Sequence, residues 1–236
     1  MAPLGKNHYA IMKQPLWKRL LSYIFEFHVE STSSEHNPHL YVSLRKGRYQ
    51  LSTANAIYSF EDLYDNFQEA FKKIKLDQIS IQNVLILGFG LGSIPIILEQ
   101  NFEKKYHYTG IEIDEEVLYL ANKYAIPGIN SGIELVCTDA VNFVKLATTK
   151  YDMITVDLFQ DDIIPQQFEQ LAFLENLKNL LTPKGILLYN RLAFNKEDIK
   201  LSKFFYQNAF KKVFDEGTYL EVKDNWMLLN RDDILK

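Results

Sequence analysis

Apolar and polar residues fall into three rhythms along the chain. Over Phe25–Glu30 and Leu40–Leu51 they alternate, the period of strands with one buried face. Lys46-Gly47 separates Tyr41–Arg45 from Arg48–Leu51 and predicts a hairpin turn. The spacing then changes. Phe60, Leu63, Tyr64, Phe67, Ala70, Phe71 and Ile74 recur on one helical face, with Ser59-Phe-Glu-Asp62 as a capping start. From Val84 onward, apolar runs near 84–87, 107–113, 133–137, 152–157 and 185–190 predict buried strands. Helices are predicted between and after them, near 93–101, 114–125, 141–147, 166–181 and 197–211, with Pro165 and Pro183 bracketing the fourth. Tyr219–Val222 and Trp226–Asn230, around Lys223-Asp224-Asn225, read as an antiparallel hairpin. The pattern predicts an α/β fold: a doubly wound, mostly parallel seven-stranded sheet ending in an antiparallel C-terminal hairpin. A tail, a short helix over Leu16–Ile24 and a β-hairpin annex occupy 1–58, and the α/β domain occupies 59–236.

Within the first buried run the sequence reads V-L-I-L-G-F-G-L-G, Val84–Gly92. Gly88, Gly90 and Gly92 make a turn too tight for side chains, and a helix starting near Ser93 aims free N–H groups at a ligand. Glu112 follows about twenty residues later, closing the run Tyr108–Ile113, where a carboxylate can grip ribose hydroxyls. A dinucleotide site wants a third glycine at position 93, which is Ser93; counted from Gly90 the third position is Pro95. The spacing suits a methionine-nucleoside better than a pyrophosphate.

Composition narrows the partners. The chain has 236 residues, 47% of them hydrophobic, enough for a real core. Its formal charge of −4 is mixed along the sequence, so nucleic acid is not an expected partner. A lone cysteine, Cys137, excludes an internal disulfide framework and fits a reducing cytoplasm, the expected location. Leu16–Phe27 is interrupted by Lys18, Arg19 and Glu26 and is too short to span a bilayer; no signal peptide is expected. Packing of its helix on the body or on a dimer partner is favoured over a membrane surface. His28, His36 and His39 match no standard metal spacing, and a solvated loop over Ser31–Pro38 is expected there.

V-L-I-L-G-F-G-L-G and G-I-E-I-D-E-E-V (Gly110–Val117) resemble the first and second motifs of the spermidine synthase, or aminopropyltransferase, branch of the AdoMet-dependent transferases. The resemblance runs from about residue 40 to the end and implies the AdoMet-methyltransferase fold. It implies that Asp139, in Cys137-Thr-Asp139-Ala140, accepts the adenine amino group while the Ala140 N–H bonds the ring; Asp139 would equally serve as a helix cap. It places Asp157, at the end of Tyr151–Asp157, as the acid that helps deprotonate an attacking amine. The family's D-x-x-D-P is here D-x-x-x-D, with Pro165 displaced, so Asp161 takes the second acid's amine-fixing role only through a shifted loop; Asp161 and Asp162 also read as a solvated acidic loop. Tyr64 resembles the tyrosine lining the amine site, followed by Asp65 where His or Gln is usual, and fits the helix core equally well.

One departure bears on the reaction. The family's glycine loop carries an aspartate that holds the donor's aminopropyl group, and here that residue is Leu91. The acid that ordinary methyltransferases place two residues before the first glycine is Ile86. The expected function is therefore a spermidine synthase-like transferase of an alkyl group to a small-molecule nucleophile, an amine in the polyamine case. Its co-substrate would be S-adenosylmethionine or the decarboxylated form. Methyl transfer to a small molecule and a catalytically idle nucleoside-binding homologue are the alternatives. No metal is expected, and a homodimer is compatible with the resemblance.

Overall fold

The computed structural model describes residues 14–54, 56–160 and 163–236. Helix α1 (Leu16–Leu21) leads into a four-stranded antiparallel sheet in sequence order: β1 (Phe27–Thr32), β2 (Leu40–Arg45), β3 (Arg48–Ser52) and β4 (Ile57–Ser59). The annex is thus a small antiparallel sheet, with the predicted Lys46-Gly47 hairpin as its β2–β3 pair. A central sheet follows, built from β5 (Asn83–Leu87), β6 (His107–Glu112), β7 (Gly132–Cys137), β8 (Tyr151–Val156), β9 (Leu181–Leu192), β10 (Thr218–Val222) and β11 (Asn225–Leu229). Its order is β10-β11-β9-β8-β5-β6-β7. The five strands from β7 to β9 run parallel, and β11 inserts antiparallel between β9 and β10. This is the expected doubly wound sheet with its antiparallel hairpin.

The predicted helices are present as α3 (Ser93–Phe102), α4 (Glu115–Tyr124), α5 (Ala140–Leu146), α6 (Leu171–Leu180) and α7 (Lys196–Phe205), the last continuing through one π-helical turn to Val213. They divide the core into two layers. Val84, Ile86, Leu91 and Met153 belong to the layer that packs on the N-terminal sheet; Leu85, Leu87, Ile154 and Val156 belong to the opposite layer. Successive strand residues point to opposite faces, so the continuous apolar runs supply both layers at once.

Three expectations are corrected. The helix after Ser59 starts later: Glu61–Leu63 form a single 3-10 turn, and α2 spans Asp65–Lys73. Ser59 and Asp62 are otherwise engaged, since Ser59 closes β4 with its Oγ 2.7 Å from Ser93 Oγ, and Asp62 pairs with Arg48. Side-chain partners from elsewhere in the fold took the groups that local sequence offered as a cap. The loop Ser31–Pro38 is not merely solvated. Ser34 Oγ and Asn37 Nδ2 donate to Asp114 Oδ2 at 2.5 and 2.6 Å, and Asp114 and Asn37 are both buried. Helix α1 is shorter than the expected Leu16–Ile24, ending at Leu21; it touches the body where Trp17 meets the Phe27 ring, and none of its residues is buried.

Candidate functional site

The chain crosses the sheet after β7, so β5 is flanked by β6 on one side and β8 on the other. A crevice opens at this reversal of strand order, beyond the carboxyl ends of the strands. Gly88 sits there with φ +83°, and a Cβ on it would lie 2.2 Å from the Asp157 carbonyl oxygen. No side chain fits, so the first glycine is what lets the ends of β5 and β8 meet. Gly90 and Gly92 also have positive φ, and Gly92 stands immediately before α3. Gly110, in β6, leaves room for the Phe89 ring, which a Cβ would approach to 2.4 Å.

These strand ends floor a cavity of about 1160 Å³, roofed on one side by β4 and the turn before α2. Gly88, Gly90, Glu112, Asp139, Ala140, Asp157, Tyr64 and Asp65 all line it. Gly92 does not; it shapes the turn from behind. Asp161 lies outside the described residues, as does Asp162. Among the described residues, no group of three or more His, Cys, Asp or Glu side chains could hold a metal ion.

Glu112 is held by backbone amides. Gly90 N–H donates to Oε2 at 3.1 Å, and the Ile113 and Asp114 N–H groups donate to Oε1 at 3.0 and 3.3 Å. Burial raises its pKa, and these amides oppose the shift by favouring the charged form. A carboxylate accepts about four hydrogen bonds, so one direction remains on Oε2 for a ligand hydroxyl. The arrangement fixes the carboxylate before any ligand arrives. Asp114, next in sequence, caps α4 through Glu116 N–H and anchors the Ser34–Asn37 loop. Asn37 accepts from Tyr58 OH at 3.0 Å and itself lines the cavity.

Asp139 caps α5, accepting from Asn142 N–H at 2.9 Å, and its other oxygen accepts from Gln167 Nε2 at 3.2 Å. The capping role read in the sequence is therefore realised, with the residue on the cavity wall.

Asp157 is held by two side chains. Tyr64 OH donates to Oδ2 at 2.9 Å and Asn190 Nδ2 donates to Oδ1 at 2.8 Å. Burial pushes the carboxyl up to about 6, against these two bonds, which favour the charged form. Burial and the adjacent Asp157 charge hold the Tyr64 hydroxyl well above its ordinary value, so it stays a donor. Asn190 is 1% exposed and its Oδ1 has no partner among the described residues. A carboxyl tuned near neutrality, ringed by donors at the end of a buried strand, can accept a proton from a bound nucleophile.

Sequence reading missed Asn190, Asn37 and Asn66, all of which line the cavity. Asn190 did carry a signal: like Glu112 and Asp157, it is a polar residue ending an apolar run, Ile186–Tyr189. Asn37 carried none, because its place depends on the annex folding over α4. Leu91 is fully buried in the core layer beneath the N-terminal sheet and does not line the cavity.

Residues 67–222 match the family model of the spermine/spermidine synthase domain. The polyamine aminopropyltransferase of Vibrio vulnificus (strain CMCP6) is 30% identical over 118 residues, covering 49% of this chain. That stretch spans only 39% of the relative's own length. A spermidine synthase structure in complex with the transition state analogue AdoDATO superposes with a TM-score of 0.66 at 17% identity, covering 86% of this chain and 72% of the other. Human methyltransferase-like protein 13 in complex with SAH gives a TM-score of 0.53 at 23% identity, covering 64% and 72%. At these identities the two structures speak for the fold alone.

Proposed function

This chain belongs to the spermine/spermidine synthase domain family, and from that premise we propose that it is a transferase passing an alkyl group from an S-adenosyl donor to a small amine. The observation that carries the reading is Asp157, half-buried beside Gly88 with Tyr64 and Asn190 on its two oxygens. In such a transfer the amine lone pair forms the new C–N bond as the C–S bond breaks, and the bonding pair leaves with sulfur as a neutral thioether. The protein's work is positioning the amine and taking its proton. Asp157 takes it, with an affinity suited to neutral pH; Tyr64 and Asn190 hold the carboxylate toward the cavity. Glu112 takes a ribose hydroxyl, the Asp139–Ala140 segment the adenine, and Asp65 the outer part of the acceptor. The N-terminal sheet and its loops, through Asn37, Lys46 and Tyr58, close the site from above. The Vibrio vulnificus relative is named a polyamine aminopropyltransferase, and a spermidine synthase in complex with a transition state analogue has the same fold, which supports this class of donor.

Methyl transfer from S-adenosylmethionine is the second reading. It stays beside the first because neither donor has its usual acid: Leu91 supplies none for a decarboxylated donor's ammonium, and Ile86 supplies none for the amino group of S-adenosylmethionine. One assay tests both. The purified chain is given each donor with a panel of amines, and the thioether product is identified: methylthioadenosine for aminopropyl transfer, S-adenosylhomocysteine for methyl transfer. Release of either, abolished by Asp157→Asn, is expected. No product from any pairing, together with no binding of either thioether, would remove the proposal.

A further inference from the structure

Helix α1 and the segment after it present an apolar face that the other described residues leave largely exposed. Trp17 is 60% exposed, Leu20 62% and Ile24 74%, with Leu16, Tyr23 and Phe25 exposed beside them. The segment is nevertheless fixed in place. Ser22 is buried, its Oγ accepts from Gly47 N–H at 2.8 Å, and its carbonyl accepts from Lys46 N–H at 2.7 Å. The Tyr23 ring lies against Gly47, and Trp17 meets Phe27 edge-on with centroids 6.5 Å apart. Among the described residues, then, the helix is tethered by its C-terminal cap with its apolar side turned outward.

The charge around this face is mostly positive. Lys18 and Arg19 lie on α1 itself, against the single exposed Glu26 that follows Phe25, although the whole chain is net −4. Folding adds to the imbalance. The Ser22 contacts bring the β2–β3 turn alongside, and its Arg45 and Lys46 are both exposed. Apolar and aromatic side chains rimmed by exposed cations match the interface of a bilayer with anionic headgroups. The rings and aliphatic chains enter the headgroup boundary, and the cations meet the lipid phosphates. A second copy offering the same face would set these cations against their counterparts.

We propose that α1 with Tyr23–Phe25, flanked by Lys18, Arg19, Arg45 and Lys46, is a peripheral docking surface for an anionic lipid membrane. Among the described residues no helix is long and apolar enough to cross a membrane, so the chain would rest on the surface. Lys46 also lines the cavity, so the lipid surface lies beside the cavity mouth.

The test uses the full chain with vesicles of phosphatidylcholine alone or with about 30% phosphatidylglycerol. Trp226 is only 7% exposed, so a blue shift in tryptophan emission on mixing reports Trp17. Co-sedimentation and a blue shift with the anionic vesicles are expected, weakened when salt is raised from about 0.1 M to about 0.5 M. Leu20→Glu and the double variant Lys18→Glu/Arg19→Glu should each reduce binding about tenfold or more, with thermal melting and thioether binding unchanged. Absence of binding to anionic vesicles overturns the proposal. So does a dimer by light scattering that Leu20→Glu converts to a monomer, because a second copy then covers the face.

Discussion

The Tyr64 hydroxyl donates to Asp157 Oδ2 at 2.9 Å, joining the start of α2 to the end of β8 across 93 positions of sequence. That bond links the turn beneath the N-terminal sheet to the carboxylate at the sheet's switch point. Removing it has a defined consequence. The bond favours the ionised carboxylate and is worth about 1.5 kcal/mol or more, close to one pKa unit. In Tyr64→Phe the Asp157 pKa should rise by about one unit above its value of about 6. The acidic limb of the rate–pH profile should shift upward by the same amount. A profile that keeps its shape and position would mean that Tyr64 serves packing alone.

Asp157 also links pH to stability. Its folded pKa of about 6 lies above the ordinary 3.8, so the folded state holds the proton more tightly than the unfolded one. Stability should therefore fall as pH rises from about 4 to about 6, and the buried charge then costs roughly 3 kcal/mol. Asp157→Asn should gain about 1–3 kcal/mol at about pH 8 and little at about pH 4, while losing transfer. Urea unfolding at the two pH values measures the difference. A variant destabilised equally at both would contradict it.

Glu112 tests the nucleoside half of the site. Three backbone amides orient its carboxylate and leave one acceptor position open. Glu112→Gln should weaken methylthioadenosine by about 1.5–3 kcal/mol, the loss of one charge-assisted bond. Calorimetry on the folded variant reads this directly. Unchanged affinity would take Glu112 out of the binding site.

Leu91 bears on the donor. An ammonium brought into the site without a partner costs several kcal/mol, hundreds-fold or more in rate. Decarboxylated S-adenosylmethionine and putrescine should therefore yield spermidine at less than about 0.01 per second. Leu91→Asp is not expected to restore the rate. Its carboxylate would enter a fully buried core position, and thermal melting should register the cost. An ordinary turnover number in the wild-type chain would show that another group receives the ammonium.

Asp114 tests the seam between the two sheets. It is 1% exposed and accepts from Ser34, Asn37 and the Glu116 amide. Asp114→Ala leaves these donors unpaired and should cost about 2–4 kcal/mol. Because Asn37 lines the cavity, the same variant should weaken methylthioadenosine binding, measured alongside the unfolding curve.

The sequence by itself determined the central sheet and the strand ends that face the ligand. The central strands β5 and β8 are short apolar runs, and burial on both faces demands such runs whatever the neighbours are. Glycines at 88, 90 and 92 were legible because only backbone without Cβ atoms fits so tight a turn. Glu112 and Asp157 were legible as polar residues ending apolar runs. The tertiary structure decided whatever depends on two distant segments meeting. Ser59 and Asp62 look like a helix cap in isolation, but Ser93 and Arg48 claim them. Asn37 looks like a loop residue until Asp114 buries it. The elevated pKa of Asp157 comes from burial, offset by donors from α2's leading turn and from β9, none of which its own strand encodes. The exposed face of α1 follows the same rule: its apolar residues predicted a partner, and only the folded arrangement shows that the described part of the body leaves them exposed.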